Sequence, residues 1–248
     1  MGTKAIDPQS IRNVTIVGEA GETARVVRRL RRCFGDTENA IHWSMDGVEH
    51  TIRVTELAAD ALVADLERSI RVADGVVVVV NAAERGTPRL ETVLRVADDH
   101  QVARLCLIGG LDHPAADFDR SVRTIADTRG AVPLALQIPT GTGAEFDVID
   151  LVSAFEPAPA QSSGRSKGFV ERWYRTLIET LAERHPADSL TLRDLHTRIR
   201  RRTRSGDIVP VLCGTPLASD DIAPLLDAVV RYLPSPMYVC QPEHAFDY

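Results

Sequence analysis

Short runs of β-branched residues alternate with longer segments of helical period along most of the chain. Residues 13–17 predict a first strand, and residues 22–33 have the apolar spacing of an amphipathic helix. Residues 75–81 are almost pure valine, and a strand that is apolar on both faces is typical of the middle of a helix-covered parallel sheet. This alternation predicts an α/β fold with a doubly wound, mostly parallel sheet.

The remaining predicted elements continue the same alternation. Asp46-Gly47 between two alternating runs is the signal of a type I′ turn, so residues 40–45 and 49–55 are predicted to form a hairpin. Helices are predicted over residues 61–73, 88–100, 115–128, 169–184, 191–202 and 220–233, and strands over 103–108, 132–138, 148–152 and 209–213.

The pattern changes after residue 131, which indicates an insert in the main sheet. Residues 156–167 read EPAPAQSSGRSK and are predicted to be a linker because they are rich in Pro, Ser and Gly. We therefore predict one α/β domain from residues 1–138 and 208–236, an inserted subdomain over 139–207 and a C-terminal tail over 237–248.

Composition narrows the kinds of partner. The 248 residues carry a net charge of -6, so the overall field does not favour DNA. The N-terminus has no apolar export signal, and no apolar run approaches the ~20 residues of a membrane span. Four well-separated cysteines are predicted to be reduced, buried thiols: Cys33, Cys106, Cys213 and Cys240. We expect a cytoplasmic protein with no DNA or membrane partner.

The first candidate site is the turn GEAGETAR, which begins at Gly18. Ligands of doubly wound sheets bind at the carboxyl ends of the strands, and a phosphate-binding loop there reads G-x-x-x-x-G-K-S/T. In this chain Gly18 and Gly21 remain, whereas Thr23, Ala24 and Arg25 stand where the second glycine, the lysine and the hydroxyl belong. Alone, this remnant is weak evidence, because glycine in any strand-to-helix turn also has a structural explanation.

Other blocks, in the same order, resemble the G domain of bacterial elongation factor G, a translational GTPase. Residues 66–76, LERSIRVADGV, match that family's V-E-R-S-x-R-V-x-D-G, where a helix enters the central strand. The further matching blocks are residues 11–13, 111–112, 116–118, 131–134, 143–146, 148–152, 210–214, 226–230 and 232–236. The resemblance implies a fold of the P-loop G-domain type and an insert similar to that family's small α/β subdomain.

On the family's motifs, this chain lacks most residues that handle the nucleotide. The D-x-P-G-H switch falls on residues 55–59, TELAA, so the magnesium carboxylate is absent and Ala59 replaces the histidine that positions water. The first switch has only residues 36–39 available. The guanine-reading N-K-x-D falls on residues 109–112, GGLD, which keeps only Asp112, and the last base-contacting loop begins at Gly214.

The resemblance therefore implies a catalytically inactive G domain, a pseudo-GTPase. A hydrogen bond to a charged group contributes about 1.5–3 kcal/mol, or roughly one to two decades of affinity, and phosphoryl transfer depends on positioning and charge neutralisation. We expect no catalytic residue, no metal site and no cofactor. The vestigial nucleotide-binding residues are Gly18, Gly21, Thr23, Arg25, Asp112 and Gly214.

The expected role is that of an interaction or regulatory protein linked to translation. Its predicted partner is the ribosome, a ribosomal stalk protein or another translation factor. The alternative is a residual guanine-nucleotide-binding protein or weak GTPase that takes GTP and magnesium through a non-standard phosphate loop. A third possibility is a chain with no selected function.

The arginines leave two questions open. Arg25, near a helix N-terminus, either binds phosphate in place of the lysine or is an ordinary surface arginine. Two basic runs, RRLRR from Arg28 and RIRRRTR from Arg198, are either solvated helix faces or contacts with ribosomal RNA. The polar residues 112–119 are predicted to form a surface turn and not a metal site.

Overall fold

The computed structural model describes residues 7–34, 40–57, 61–84, 89–128, 130–141, 143–153, 165–182, 191–214 and 221–238. Its strands are β1 (Ile11–Gly18), β2 (Ala40–Met45), β3 (Val48–Glu56), β4 (Gly75–Asn81), β5 (Ala103–Gly109), β6 (Pro133–Ala135), β7 (Gln137–Thr140), β8 (Asp147–Asp150) and β9 (Val209–Cys213). Seven of these strands form one sheet in the order β2–β3–β1–β4–β5–β9–β6, and β7 pairs only with β8. Only the β2–β3 pair of the large sheet is antiparallel, which confirms the predicted mostly parallel sheet.

Helices flank this sheet. They are α1 (Ala20–Phe34), α2 (Val63–Arg71), α3 (Leu90–Asp99), α4 (Phe118–Ala126), α5 (Arg165–Leu181), α6 (Leu192–Arg204) and α7 (Ala223–Tyr232). Short 3-10 helices cover Pro8–Ser10, Gly143–Glu145 and Pro236–Tyr238. Helices α1 and α3 both pack against β4, while α6 contacts β5, β9 and α7. The α/β layers predicted from the alternating pattern are therefore confirmed.

The centre of the core is β4. Residues 76–80 are all valine and none is more than 2% exposed. The strand lies between β1 and β5, so side chains pointing to either face are covered. Fully burying a valine contributes roughly 1.5–3 kcal/mol, which explains why this run determines the middle of the sheet.

The turn of the β2–β3 hairpin has the conformation that its two residues predict. Asp46 and Gly47 have φ values of 52° and 77°, the left-handed conformations that a type I′ turn requires. The hairpin adds the single antiparallel strand, β2, at one edge of the sheet. This part of the sequence prediction is confirmed.

The predicted single strand over residues 132–138 is wrong, because the chain divides there between two sheets. β6 belongs to the large sheet and β7 to the small one. The buried side chain of Gln137 turns back to the large sheet, where its Oε1 accepts a hydrogen bond of 3.1 Å from the N–H of Cys213. At this point a side-chain oxygen, and not a backbone carbonyl of a neighbouring strand, accepts the hydrogen bond from β9.

Two further predictions need correction. Helix α5 begins at Arg165, within the segment predicted to be a linker. Cys33 is exposed, whereas Cys106 and Cys213 are buried as predicted, and burial raises the pKa of Cys106 to about 12. Some predictions fall outside the described residues. They concern the first-switch residues 36–39, Ala59, Cys240 and most of the predicted tail. The domain division at residues 139–207 stays a prediction.

Candidate functional site

A small cleft lies at the carboxyl ends of β5 and β9, beside the first two turns of α1. Three of the predicted nucleotide-binding residues line it: Arg25, Asp112 and Gly214. Its cavity volume is about 30 Å³, whereas pockets for small-molecule ligands have roughly 300–1,000 Å³. The cleft lies where the predicted base-reading positions 109–112 and Gly214 meet the start of α1, and in this conformation it is small.

The connection from β1 to α1 is short. β1 ends at Gly18 and α1 begins at Ala20, so Glu19 alone joins them. Gly18 has φ of 153°, and a Cβ on it would lie 2.0 Å from the carbonyl oxygen of Val79. The N–H of Glu19 donates to that same oxygen over 3.1 Å. The chain thus turns from strand into helix without a loop whose successive N–H groups surround a ligand.

The other three predicted residues lie away from the cleft lining. Gly18 is packed against Val79, and Gly21 is in the first turn of α1, where a Cβ would meet nothing within 4 Å. Thr23 is only 3% exposed, and its Oγ1 has no hydrogen-bond partner among the described residues. The structure therefore separates Gly21 and Thr23 from Arg25, Asp112 and Gly214.

Glu22, in the first turn of α1, also lines the cleft. It is 8% exposed, and its Oε1 forms an ion pair with Nη1 of Arg25. A Cβ on Gly109 would lie 2.5 Å from Oε2 of Glu22, and one on Gly110 would lie 3.8 Å from its Oε1. The carboxylate therefore occupies space that Gly109 leaves open at the end of β5, while a Cβ on Gly110 would first meet Oδ1 of Asn81, at 2.5 Å.

Sequence reasoning missed Glu22. Its role depends on proximity to Gly109 and Gly110, which occupy the first two positions of the guanine-reading motif and are far away in the chain. The only sequence signal is the glycine at position 109, which replaces the asparagine of that motif and makes room for a carboxylate. This glycine by itself does not point to Glu22.

Two carboxylates at the start of α1, those of Glu19 and Glu22, have raised pKa values. Burial raises the pKa of the Glu22 carboxyl, Arg25 opposes this shift and Asp112 adds to it. Burial also raises the pKa of Glu19, with a further contribution from Glu84. A helix N-terminus favours an anion, so the Glu22 carboxylate in the first turn of α1 provides the negative charge that a bound phosphate would provide.

The position of the magnesium carboxylate is part of the sheet. Thr55 pairs with Thr15 in the ladder, and the N–H of Leu57 donates to Ile16 over 3.0 Å. Ala58 and Ala59 lie outside the described residues. Within the described ranges there is no group of three or more His, Cys, Asp or Glu side chains placed to hold a metal ion.

Comparisons with known proteins agree with the fold. The family model described as the elongation factor Tu GTP-binding domain matches residues 60–235. Elongation factor G 2 of Streptomyces coelicolor is 38% identical over 195 residues, which are 71% of this chain and 28% of that protein. No helix among the described residues is both long and apolar enough to cross a membrane.

A solved structure shows the same fold. It is the crystal structure of a protein from Thermus thermophilus, with a TM-score of 0.74 and 19% sequence identity. The similarity covers 92% of this chain and 41% of that one. The chain therefore spans less than half the length of both relatives.

Proposed function

Because this chain belongs to the elongation factor Tu GTP-binding domain family and is an elongation factor G-like G domain, we propose that it is a catalytically inactive member, a pseudo-GTPase. The protein functions by binding a partner, as an interaction or regulatory protein linked to translation. The observation that carries this proposal is the Glu22 carboxylate, which lies in the first turn of α1 at the edge of the cleft with Arg25 already paired to it.

Charge repulsion supports weak nucleotide binding. Two like charges 4 Å apart repel by roughly 4 kcal/mol at the effective dielectric constant near a protein surface. A phosphate in the cleft would face Glu22 at such a range, without the lysine that Ala24 replaces. The residues present therefore do not fit a magnesium–triphosphate, and we derive no step through one.

The lost positioning groups support the absence of hydrolysis. Phosphoryl transfer relies on metal ions, on a lysine and on a residue that orients water. The positions of these groups in this chain hold Thr55, Ala24 and Ala59. None of these three side chains carries a charge or binds a metal ion with useful affinity.

We test the proposal first by titration with fluorescent GTP and GDP, with and without magnesium. We expect a dissociation constant weaker than about 1 mM, which corresponds to about -4 kcal/mol of binding free energy. Arg25→Ala is the control for the alternative function, since it removes the only arginine that pairs with Glu22 in the described residues. Micromolar binding that Arg25→Ala abolishes, or phosphate release above the buffer rate, would contradict the proposal.

The proposed partner is the ribosome, a ribosomal stalk protein or another translation factor. It rests on the relative named Elongation factor G 2, of which this chain matches 28%. Sedimentation of the purified protein with ribosomes tests this part directly. Absence of the protein from the ribosomal fractions at low salt would count against it.

A further inference from the structure

A second and larger groove lies at the opposite end of the sheet. It runs between α6, the end of α7 and the β2–β3 turn, and its cavity volume is about 690 Å³. That turn is at the amino end of β3, whereas the Glu22 cleft is at the carboxyl ends of the strands. We call it the arginine groove, because Arg193, Arg200 and Arg231 line it together with Asp46 and His196.

The three arginines of this groove lack a carboxylate partner. Among the described residues, none of Arg193, Arg200 and Arg231 has a carboxylate oxygen within 4.0 Å. Among the described residues, the one hydrogen bond of Arg231 is to the sulfur of Met45, at 3.6 Å, and Nε of Arg200 is buried without a hydrogen-bond partner. Asp46 is the one carboxylate among the lining residues of the groove.

The arginine groove brings three such arginines to one cavity. Some arginines elsewhere on the described surface pair with acids, as in Arg68–Asp65, Arg95–Asp99 and Arg172–Asp119, and others, such as Arg53, do not. Even within α6 the basic run is divided, since Arg198 donates to the carbonyl of Leu181 and Arg202 to that of Thr180 at the end of α5. Those two arginines cap a helix, while Arg200 faces the groove.

Neighbouring groups strengthen the positive field. Arg12 is 2% exposed, and burial together with the charge of Arg200 lowers its pKa to about 10. Arg204 lies 4.4 Å from the ring centre of Tyr238 and also lowers the pKa of Arg12. Carboxylates also lie at this end of the sheet: Asp74 acts on Arg12, Asp194 caps α6, and Asp150 and Asp227 line an adjoining pocket with Arg231. Among the described residues that line the arginine groove itself, three arginines face the single carboxylate of Asp46.

The spacing of the arginines favours a chain of phosphates over a single anion. Arg193 and Arg200 are seven residues apart on one helix, or about 10.5 Å along its axis at 1.5 Å per residue. At that separation each guanidinium group can hold a different phosphate of one strand. Arginine binds phosphate oxygens through two parallel hydrogen bonds.

The lining of the groove disfavours a protein partner. Tight protein interfaces depend on buried aromatic or large apolar anchors, and Leu192 is the only apolar side chain lining the groove among the described residues. The same lining offers no Phe, Tyr or Trp on which bases could stack. Contact with a sugar–phosphate backbone, independent of base sequence, fits both facts.

We propose that the arginine groove binds the sugar–phosphate backbone of RNA through Arg193, Arg200 and Arg231. This inference goes beyond the inactive nucleotide site and stands without it, because it uses residues at the other end of the sheet. Failure of RNA binding would leave the titration with GTP unaffected, so the two proposals fail separately.

The test uses the full chain and a labelled single-stranded RNA of mixed sequence in fluorescence anisotropy. The slope of log affinity against log salt is about -0.7 per phosphate contact for single strands, so three contacts predict roughly -2. The double variant R193Q/R231Q should reduce the slope to roughly -0.7 and weaken binding at low salt by tenfold or more. The matched control R68Q/R95Q removes two exposed arginines that are already paired, and it should keep the wild-type slope.

Three outcomes would overturn the proposal. They are no binding of RNA at low salt, equal losses in the two double variants, and equally tight binding of polyglutamate, which would indicate a general acidic ligand. R193Q alone changes an exposed side chain, so it provides a readout even if the double variant does not fold. Its slope should be less steep by about 0.7.

Discussion

The two ends of the large sheet differ in whether their charged side chains are paired. At the carboxyl end, Glu22 and Arg25 satisfy each other inside a cleft of about 30 Å³. At the amino end, Arg193, Arg200 and Arg231 line an open groove of about 690 Å³ without ion-pair partners among the described residues. A charge already neutralised within the chain offers little to a ligand, whereas an unpaired cation gains by binding an anion. The arginine groove is therefore better suited to bind a charged ligand than the Glu22 cleft.

The largest expected effect is on stability, from a substitution of Gly18, which packs against Val79 at the carboxyl end of the sheet. Gly18→Ala places a Cβ about 2.0 Å from the Val79 carbonyl in a backbone conformation that L residues rarely adopt. We expect it to destabilise the fold by about 3 kcal/mol or more, measured by urea unfolding. Gly21→Ala is the matched control, because its helical site is open, and it should stabilise by about 0.5–1 kcal/mol.

Equal, small effects of the two substitutions would contradict the packing role of Gly18. They would indicate that β1 and α1 can move apart, and hence that the cleft could open to admit a phosphate. In that case the two ends of the sheet would differ less than the structure indicates.

The second prediction concerns the acidity of the cleft. Because burial raises the pKa of Glu22 above its ordinary 4.5, its contribution to stability is complete below that pH and is lost as pH rises through the folded-state value. Glu22→Gln mimics the protonated form. Its free energy of unfolding should match that of the wild type near pH 4.5 and exceed it by about 1 kcal/mol at pH 8.

The control for that experiment is Glu91→Gln, which removes a carboxylate from the exposed first turn of α3. It should give no comparable gain at pH 8. If Glu22→Gln is instead the less stable protein at pH 8, the ion pair with Arg25 outweighs the burial of the carboxylate. The cleft would then be more firmly closed than we propose.

Much of the fold could be predicted because it depends on local pattern. The valine run of β4 and the Asp46-Gly47 turn each determine their element from neighbouring residues alone. The split after Ala135 could not be predicted, since it depends on a hydrogen bond between Gln137 and Cys213 across the sheet. Periodicity does not report where a strand changes sheets.

The candidate sites were harder to predict than the fold. The resemblance selected Arg25 and Asp112, which do line the cleft, but Glu22 matters only because Gly109 lies against it. The basic run of α6 was visible in the sequence, yet its division between helix capping and the groove depends on how α5 and α6 pack. Arg231 joins the groove from a different helix, which no local pattern indicates.

The smallest expected effect concerns the charge of Asp46 in the arginine groove, at the amino end of the sheet. Asp46→Asn removes the only carboxylate that lines the arginine groove among the described residues, and asparagine tolerates the positive φ at that turn. RNA affinity in the anisotropy assay should rise about threefold, since the charge of the exposed Asp46 is weakened by water and screened by salt. Asp127→Asn, at the end of α4, is the control for net charge. An equal rise in both variants would mean that the protein's overall field, and not the groove, attracts the RNA.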